Sequence, residues 1–129
     1  MAWDINSLSG VFGEDNTFVV SKEGECLIVT NEDGVDAFIS VCGSQIVMEV
    51  SLFAASSVND VNVLNAEILK THQLLPLSSI CVSEIDGTDY YLAFGALSSE
   101  SKAETIKIEV ETLFQNVPDF LEAYRDHLK

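Results

Sequence analysis

A chain of 129 residues makes one domain of ordinary size, long enough to bury a single core and too short for two, so residues 1–129 are read as one unit. Asp and Glu number 21 against 6 Lys and Arg, a formal charge of −15 that repels phosphate backbones and anionic headgroups and sets direct nucleic-acid binding aside. With 47% hydrophobic residues, seven glycines and two prolines the composition is that of a folded protein, and no stretch approaches the ~20 uninterrupted apolar residues needed for membrane insertion.

The carboxylates are scattered, from the Glu14-Asp15 and Glu32-Asp33 pairs to the last third of the chain, and form no single acidic arm. They serve solubility, and they would attract a basic protein partner. Cys26, Cys42 and Cys81 cannot all pair, belong to no C-x-x-C motif and lie in apolar runs, which predicts reduced, buried thiols. The start has neither a basic region nor an apolar h-region, so a cytoplasmic protein is expected.

Taken in chain order, Trp3, Ile5, Leu8, Val11 and Phe12 recur at helical spacing with Asp4 or Asn6 as an N-cap, which predicts a short first helix. The period then changes to two, and strands are predicted over 17–21, 26–30, 35–42 and 45–53. Glu23-Gly24, the run 31–34 and Gly43-Ser44 separate them with turn formers, so successive antiparallel hairpins are the simplest topology. In the fourth strand Ile46, Met48, Val50 and Leu52 point one way while Gln45, Glu49 and Ser51 point the other.

Helical spacing returns in Val58, Val61, Leu64, Ile68 and Leu75, predicting a second helix over 58–74, with Ser57 and Asp60 near its start, that Pro76 stops. Runs at 80–85 and 90–97 flank Asp86-Gly87 and read as a hairpin. Ser101 and Glu104 have capping-box spacing ahead of a third helix carrying Ile106, Val110, Leu113, Phe114 and Val117. Pro118 is placed in the first turn of a fourth, with a break over 116–118.

Segregated strands and helices define an α+β domain, element order α-β-β-β-β-α-β-β-α-α, with helices on one face of an antiparallel sheet. The other face is then the surface of interest. On the last strand Tyr90, Leu92, Phe94 and Ala96 are assigned to the core, which leaves Tyr91, Ala93, Gly95 and Leu97 as an unusually apolar outer set and a candidate homodimer or partner interface. The competing reading is that the third helix or a loop covers these four, with Gly95 permitting close packing. Trp3 and Tyr124 are candidate interface anchors or ties between the chain ends and the core.

No catalytic, cofactor-binding or metal site is predicted. His72 and His127 lie far apart and anchor no motif. Glu84, Asp86 and Asp89, like Glu32, Asp33 and Asp36, flank turns, where carboxylates satisfy turn hydrogen bonds, and neither set has EF-hand spacing. The glycines form no phosphate-binding loop.

Residues 74–79 (LLPLSS), 90–98 (YYLAFGALS) and the helix carrying Ile108, Glu109, Val110 and Leu113 resemble the YjfI-like family of bacterial proteins, as does the Trp3-Asp4-Ile5 opening. That resemblance implies a small cytoplasmic protein, with a weaker link to phage-shock-like membrane-stress systems, and it transfers no functional residue. The element order is also similar to that of the secretion chaperones of type III systems, which are dimeric and bind unfolded segments. The expected function is therefore a non-enzymatic adaptor or chaperone-like protein-binding module. The alternatives are a membrane-stress regulator and a small enzyme with a thiol or carboxylate site, for which Cys81 near Asp86 or Asp89 is the candidate.

Overall fold

The computed structural model describes residues 2–13 and 17–129, so the Glu14-Asp15 pair lies outside the described residues. Helix α1 (Ile5–Gly13) begins at Asp4, whose Oδ1 accepts the Ser7 backbone N–H at 2.8 Å and whose carbonyl accepts that of Leu8. These are the donors that a helix start leaves without internal partners. The Ser7 N–H, followed by the Ser7 hydroxyl, holds the Asp4 carboxyl below its ordinary range.

Strands β1 (Val19–Glu23), β2 (Cys26–Thr30), β3 (Asp36–Cys42) and β4 (Gln45–Ala54) form the expected antiparallel meander. β6 (Thr88–Ser98) pairs with the free side of β4 and β5 (Ser79–Ile85) with β6, giving one sheet in the order β1-β2-β3-β4-β6-β5. The β5–β6 connection is two residues long, with Asp86 at φ 51° and Gly87 at φ 82°, the positive pair that matches a hairpin turn to strand twist.

Helix α2 (Val61–Lys70) is shorter than its apolar spacing suggests. Val58 is extended and bridges Leu128, so the helix starts only after Asp60, whose side chain caps the Asn62 and Val63 N–H groups. At the other end Thr71 bonds back to Glu67 O through both its N–H and its hydroxyl. Its hydroxyl also meets Tyr124 Oη at 2.6 Å. The chain end packs against the same region: Lys129 N–H reaches Ser57 O, Asn59 N–H reaches His127 O, and His127 Nε2 lies 2.8 Å from Glu67 Oε2.

Helix α3 (Ala103–Ala123) runs straight through Pro118, so the expected break over 116–118 is absent. Proline removes one helical hydrogen bond and crowds the preceding turn, at about 3 kcal/mol. Buried Phe114 and Val117 on one side of it and Phe120 on the other offset that loss by packing on the same core. The Ser101–Glu104 capping box does not form either, since Lys102 occupies the N-cap and makes no side-chain cap bond.

Among the described residues the three α-helices lie against one face of the sheet. The core between the layers comprises Leu8 and Phe12 of α1, Leu64 of α2, Ile106 and Leu113 of α3, and the facing residues Leu27, Ile39, Ile46 and Met48. Trp3 and Tyr124 prove to be ties: Trp3 Nε1 donates to Ser101 O at 2.6 Å, and Tyr124 is buried against the core.

The same geometry reverses the assignment of faces on β6. Tyr91, Ala93 and Gly95 are buried on the helix side, Leu97 is half-buried beside them, and none of the four belongs to the outer face. Register is the reason. Val50 pairs with Ala93, Met48 with Gly95 and Ile46 with Leu97, and those β4 partners point into the core. Tyr91 packs its ring 5.1 Å from Phe53 and donates its hydroxyl to Asn65 Oδ1 of α2. Burial raises the Tyr91 phenol above its ordinary value, with Asp89 adding a smaller push. Gly95 has its alpha carbon under the Glu109 carboxylate, as the covering-helix reading expects.

Candidate functional site

The sheet face turned away from the helices is built by the alternate residues of all six strands. Ile28 of β2 pairs with Phe38 of β3, Phe38 with Glu49 of β4, and Glu49 with Phe94 of β6; Leu92 lies beside Ser51 on one side and Cys81 of β5 on the other. Because side chains alternate along each strand, these residues share the face opposite Ile39, Met48 and Ala93. It is apolar at its centre, where a two-sided sheet would normally present polar groups to water. Phe38 is 41% exposed although it is a phenylalanine in the middle of a strand.

A hollow of about 170 Å³ opens in this face, lined by Phe38, Glu49, Ser51, Ser83, Ile85 and Leu92. Its floor is Leu92, only 5% exposed. Glu49 stands in it as the central charge of the face, with phenyl rings directly across on both neighbouring strands. Burial alone raises the Glu49 carboxyl above its ordinary range. Among the described residues no hydrogen-bond donor and no cation meets it. The positions of the Lys and Arg residues explain this: Lys22 bonds to Asn6 of α1 on the helix side, and Lys70, Lys102, Lys107, Arg125 and Lys129 all lie in or beside helices.

All three cysteines belong to this face and are unpaired. Cys42 is exposed and Cys26 and Cys81 are half-buried, so the expectation of core thiols is corrected. The strand runs that carry them are apolar on both sides, and the helix-facing positions are taken by Leu27, Val41 and Ile80. Burial, with a smaller contribution from Glu49, pushes the Cys81 thiol up; burial likewise leads the rise at Cys26. A nucleophilic cysteine requires the opposite shift toward thiolate. Asp86 and Asp89 lie at the hairpin end of β5 and β6, five and eight residues along the chain from Cys81, and impose no such shift on it.

Other sequence candidates remain separate. His72 Nε2 contacts Ile80 O at 3.3 Å and His127 contacts Glu67, so the two imidazoles have unrelated partners. The carboxylates of the two turns do not assemble into a metal-binding group, and among the described residues no cluster of three or more His, Cys, Asp or Glu does so. Among the same residues no helix is long and apolar enough to cross a membrane.

An antiparallel sheet with helices on one face and a second face that the described helices leave open defines an α+β fold shared with solved structures. The crystal structure of YbjN from E. coli superposes with a TM-score of 0.76 at 15% identity, covering 98% of this chain and 95% of that one. The structure of the HopA1-SchA chaperone–effector complex gives 0.62 at 16% identity over 89% and 90% of the two chains. At those identities the likeness concerns the fold. The chain belongs to the bacterial family described as "Uncharacterized protein conserved in bacteria (DUF2170)", which it matches over residues 2–128. It is 30% identical over 115 residues to the uncharacterized protein YjfI of Escherichia coli strain K12, covering 88% of this chain and 86% of that protein, and to YjfI of Escherichia coli O157:H7 to the same extent.

Proposed function

We propose that this protein is a non-enzymatic protein-binding module, chaperone-like or adaptor-like, that receives a polypeptide segment of a basic partner on its open sheet face. One observation carries the reading: a sheet face with exposed Phe38, half-buried Phe94 and Leu92 at the floor of its hollow, which none of the described helices covers. The charge of −15 supports a basic partner through long-range attraction, which accelerates encounter and weakens as salt screens it. The chaperone–effector complex among the structural neighbours supports the protein-binding class through fold likeness alone. Three unpaired thiols support a reducing, cytoplasmic setting.

The module works as a homodimer paired along β5. Edge strands are commonly protected by lysine, proline or short length. β1 is five residues long and carries Lys22, whereas β5 has seven residues with neither lysine nor proline. Beside it, Leu69 and Val82 are exposed around a hollow of about 250 Å³ between α2 and β5. Light scattering on the purified chain checks this, with a dimer that tightens as salt rises expected and a monomer at all concentrations contradicting it.

The binding role is tested by placing a photo-crosslinking phenylalanine analogue at position 38 on the open face and, separately, at position 108 on the outer surface of α3. Polypeptides crosslinked in the bacterial cell from position 38 and not from position 108 are the expected result. Equal yields from the two positions would contradict it.

A further inference from the structure

Glu49 is an unusual residue for the centre of an apolar surface. Placing a carboxylate there removes part of its hydration, which is unfavourable unless a counter-charge arrives. The chain supplies none among the described residues, and the open face contains no Lys or Arg at all. What surrounds Glu49 is equally specific: Phe38 opposite it on β3, Phe94 opposite it on β6 outside the hollow, and a hollow that Glu49 lines together with Phe38, Leu92, Ile85 and the hydroxyl-bearing Ser51 and Ser83. A carboxylate beside an aromatic ring in one hollow is complementary to a cation that is flat, weakly hydrated and able to stack. Guanidinium meets all three conditions, and ammonium meets them less well.

We propose that the Glu49 hollow receives one arginine side chain of the bound polypeptide, its apolar stem against Leu92 and Ile85 and its guanidinium forked onto the Glu49 carboxylate and stacked on Phe38. The proposal rests on the open face being the binding surface, and it adds what the partner must present there: an apolar segment with an arginine at one fixed position. The hollow, at about 170 Å³, is the size of a single long side chain rather than of a free ligand. The open face of a second copy is a poor occupant of this hollow, because that face carries no Lys or Arg to meet Glu49. An acidic or purely apolar segment would leave Glu49 unpaired, at the expense of a buried, uncompensated charge.

A random dodecapeptide library displayed on phage, selected in parallel on the wild-type protein and on the Glu49→Gln and Phe38→Asp variants, tests this. Positions 38 and 49 are at least partly exposed, and matching thermal melts establish that the variants are folded. Wild type is expected to select apolar peptides sharing an arginine at one position, and Glu49→Gln to select apolar peptides without it. For a peptide so selected, replacing arginine by the neutral isostere citrulline should weaken binding to wild type about tenfold, the loss of one charge-assisted pair, and leave binding to Glu49→Gln unchanged. Equal arginine frequencies on wild type and Glu49→Gln would overturn the arginine site while leaving the open face as the binding surface. Selected peptides that bind Phe38→Asp as well as wild type would overturn both.

Discussion

The Glu109 carboxylate lies over Gly95, so that a Cβ at position 95 would come within 2.7 Å of Glu109 Oε1 and 3.3 Å of the Leu77 carbonyl oxygen. Helix α3 can approach β6 this closely only because position 95 has no side chain. Gly95→Ala is therefore expected to lower stability by about 1–2 kcal/mol, the usual range for overpacking. Combining it with Glu109→Ala should recover part of the loss, since the carboxylate can be removed and the backbone carbonyl cannot. Chemical denaturation of the two single variants and the double variant measures the coupling; strict additivity would contradict the contact.

Burial raises both the Glu109 and the Glu49 carboxyls above the ordinary glutamate value of 4.5. The folded chain then holds these protons more tightly than the unfolded one. Their contribution to stability is complete below 4.5 and declines as pH rises through the raised folded value. Asp4, lowered by its Ser7 bonds, has the opposite slope and acts at lower pH, below its ordinary 3.8. Thermal melts across mildly acidic to neutral pH are expected to show Glu109→Gln gaining on wild type as pH rises. Parallel curves for the two proteins would contradict this.

Asn116, buried in α3, donates from Nδ2 to Pro76 O at 2.8 Å and to Ser78 Oγ at 3.0 Å. It thereby clamps the turn in which Leu77 takes φ 64°, a conformation that a branched side chain adopts at a disadvantage. Asn116→Ala should cost about 1–3 kcal/mol by leaving polar groups without partners. Leu77→Gly, at an exposed position, should instead be neutral or stabilising by up to about 1 kcal/mol. Equilibrium unfolding of both variants checks the opposite signs.

Much of the architecture was legible because its signals are local. Gly24, Gly43 and Asp86-Gly87 sit at the two-residue connections where turn chemistry requires them, and Asp4 and Asp60 cap the helices that follow them. The face of β6 was not legible, because its residues 90–97 are apolar on both sides and alternation carries no information there. Only pairing with β4 decides it, and that pairing crosses α2 and some forty residues of chain. Glu49 illustrates the same limit. Its outward direction is plain from Ile46, Met48 and Val50, yet its two phenylalanine neighbours come from β3 and β6 and meet it only when the sheet is assembled. The break expected over 116–118 does not form: a proline suits a first turn, yet core packing by Phe114, Val117 and Phe120 carries the helix across it.

Paired charge insertions on the two outer surfaces compare them on equal terms: Phe38→Asp on the open sheet face and Ile108→Asp on α3, where Ile108 is 55% exposed and away from the core. Each tagged variant, expressed in the bacterial cell, is compared with wild type for the polypeptides that copurify with it, quantified by mass spectrometry. Loss of the wild-type set with Phe38→Asp and its retention with Ile108→Asp is expected. Retention with Phe38→Asp would show that the bare side of the sheet is not where partners bind.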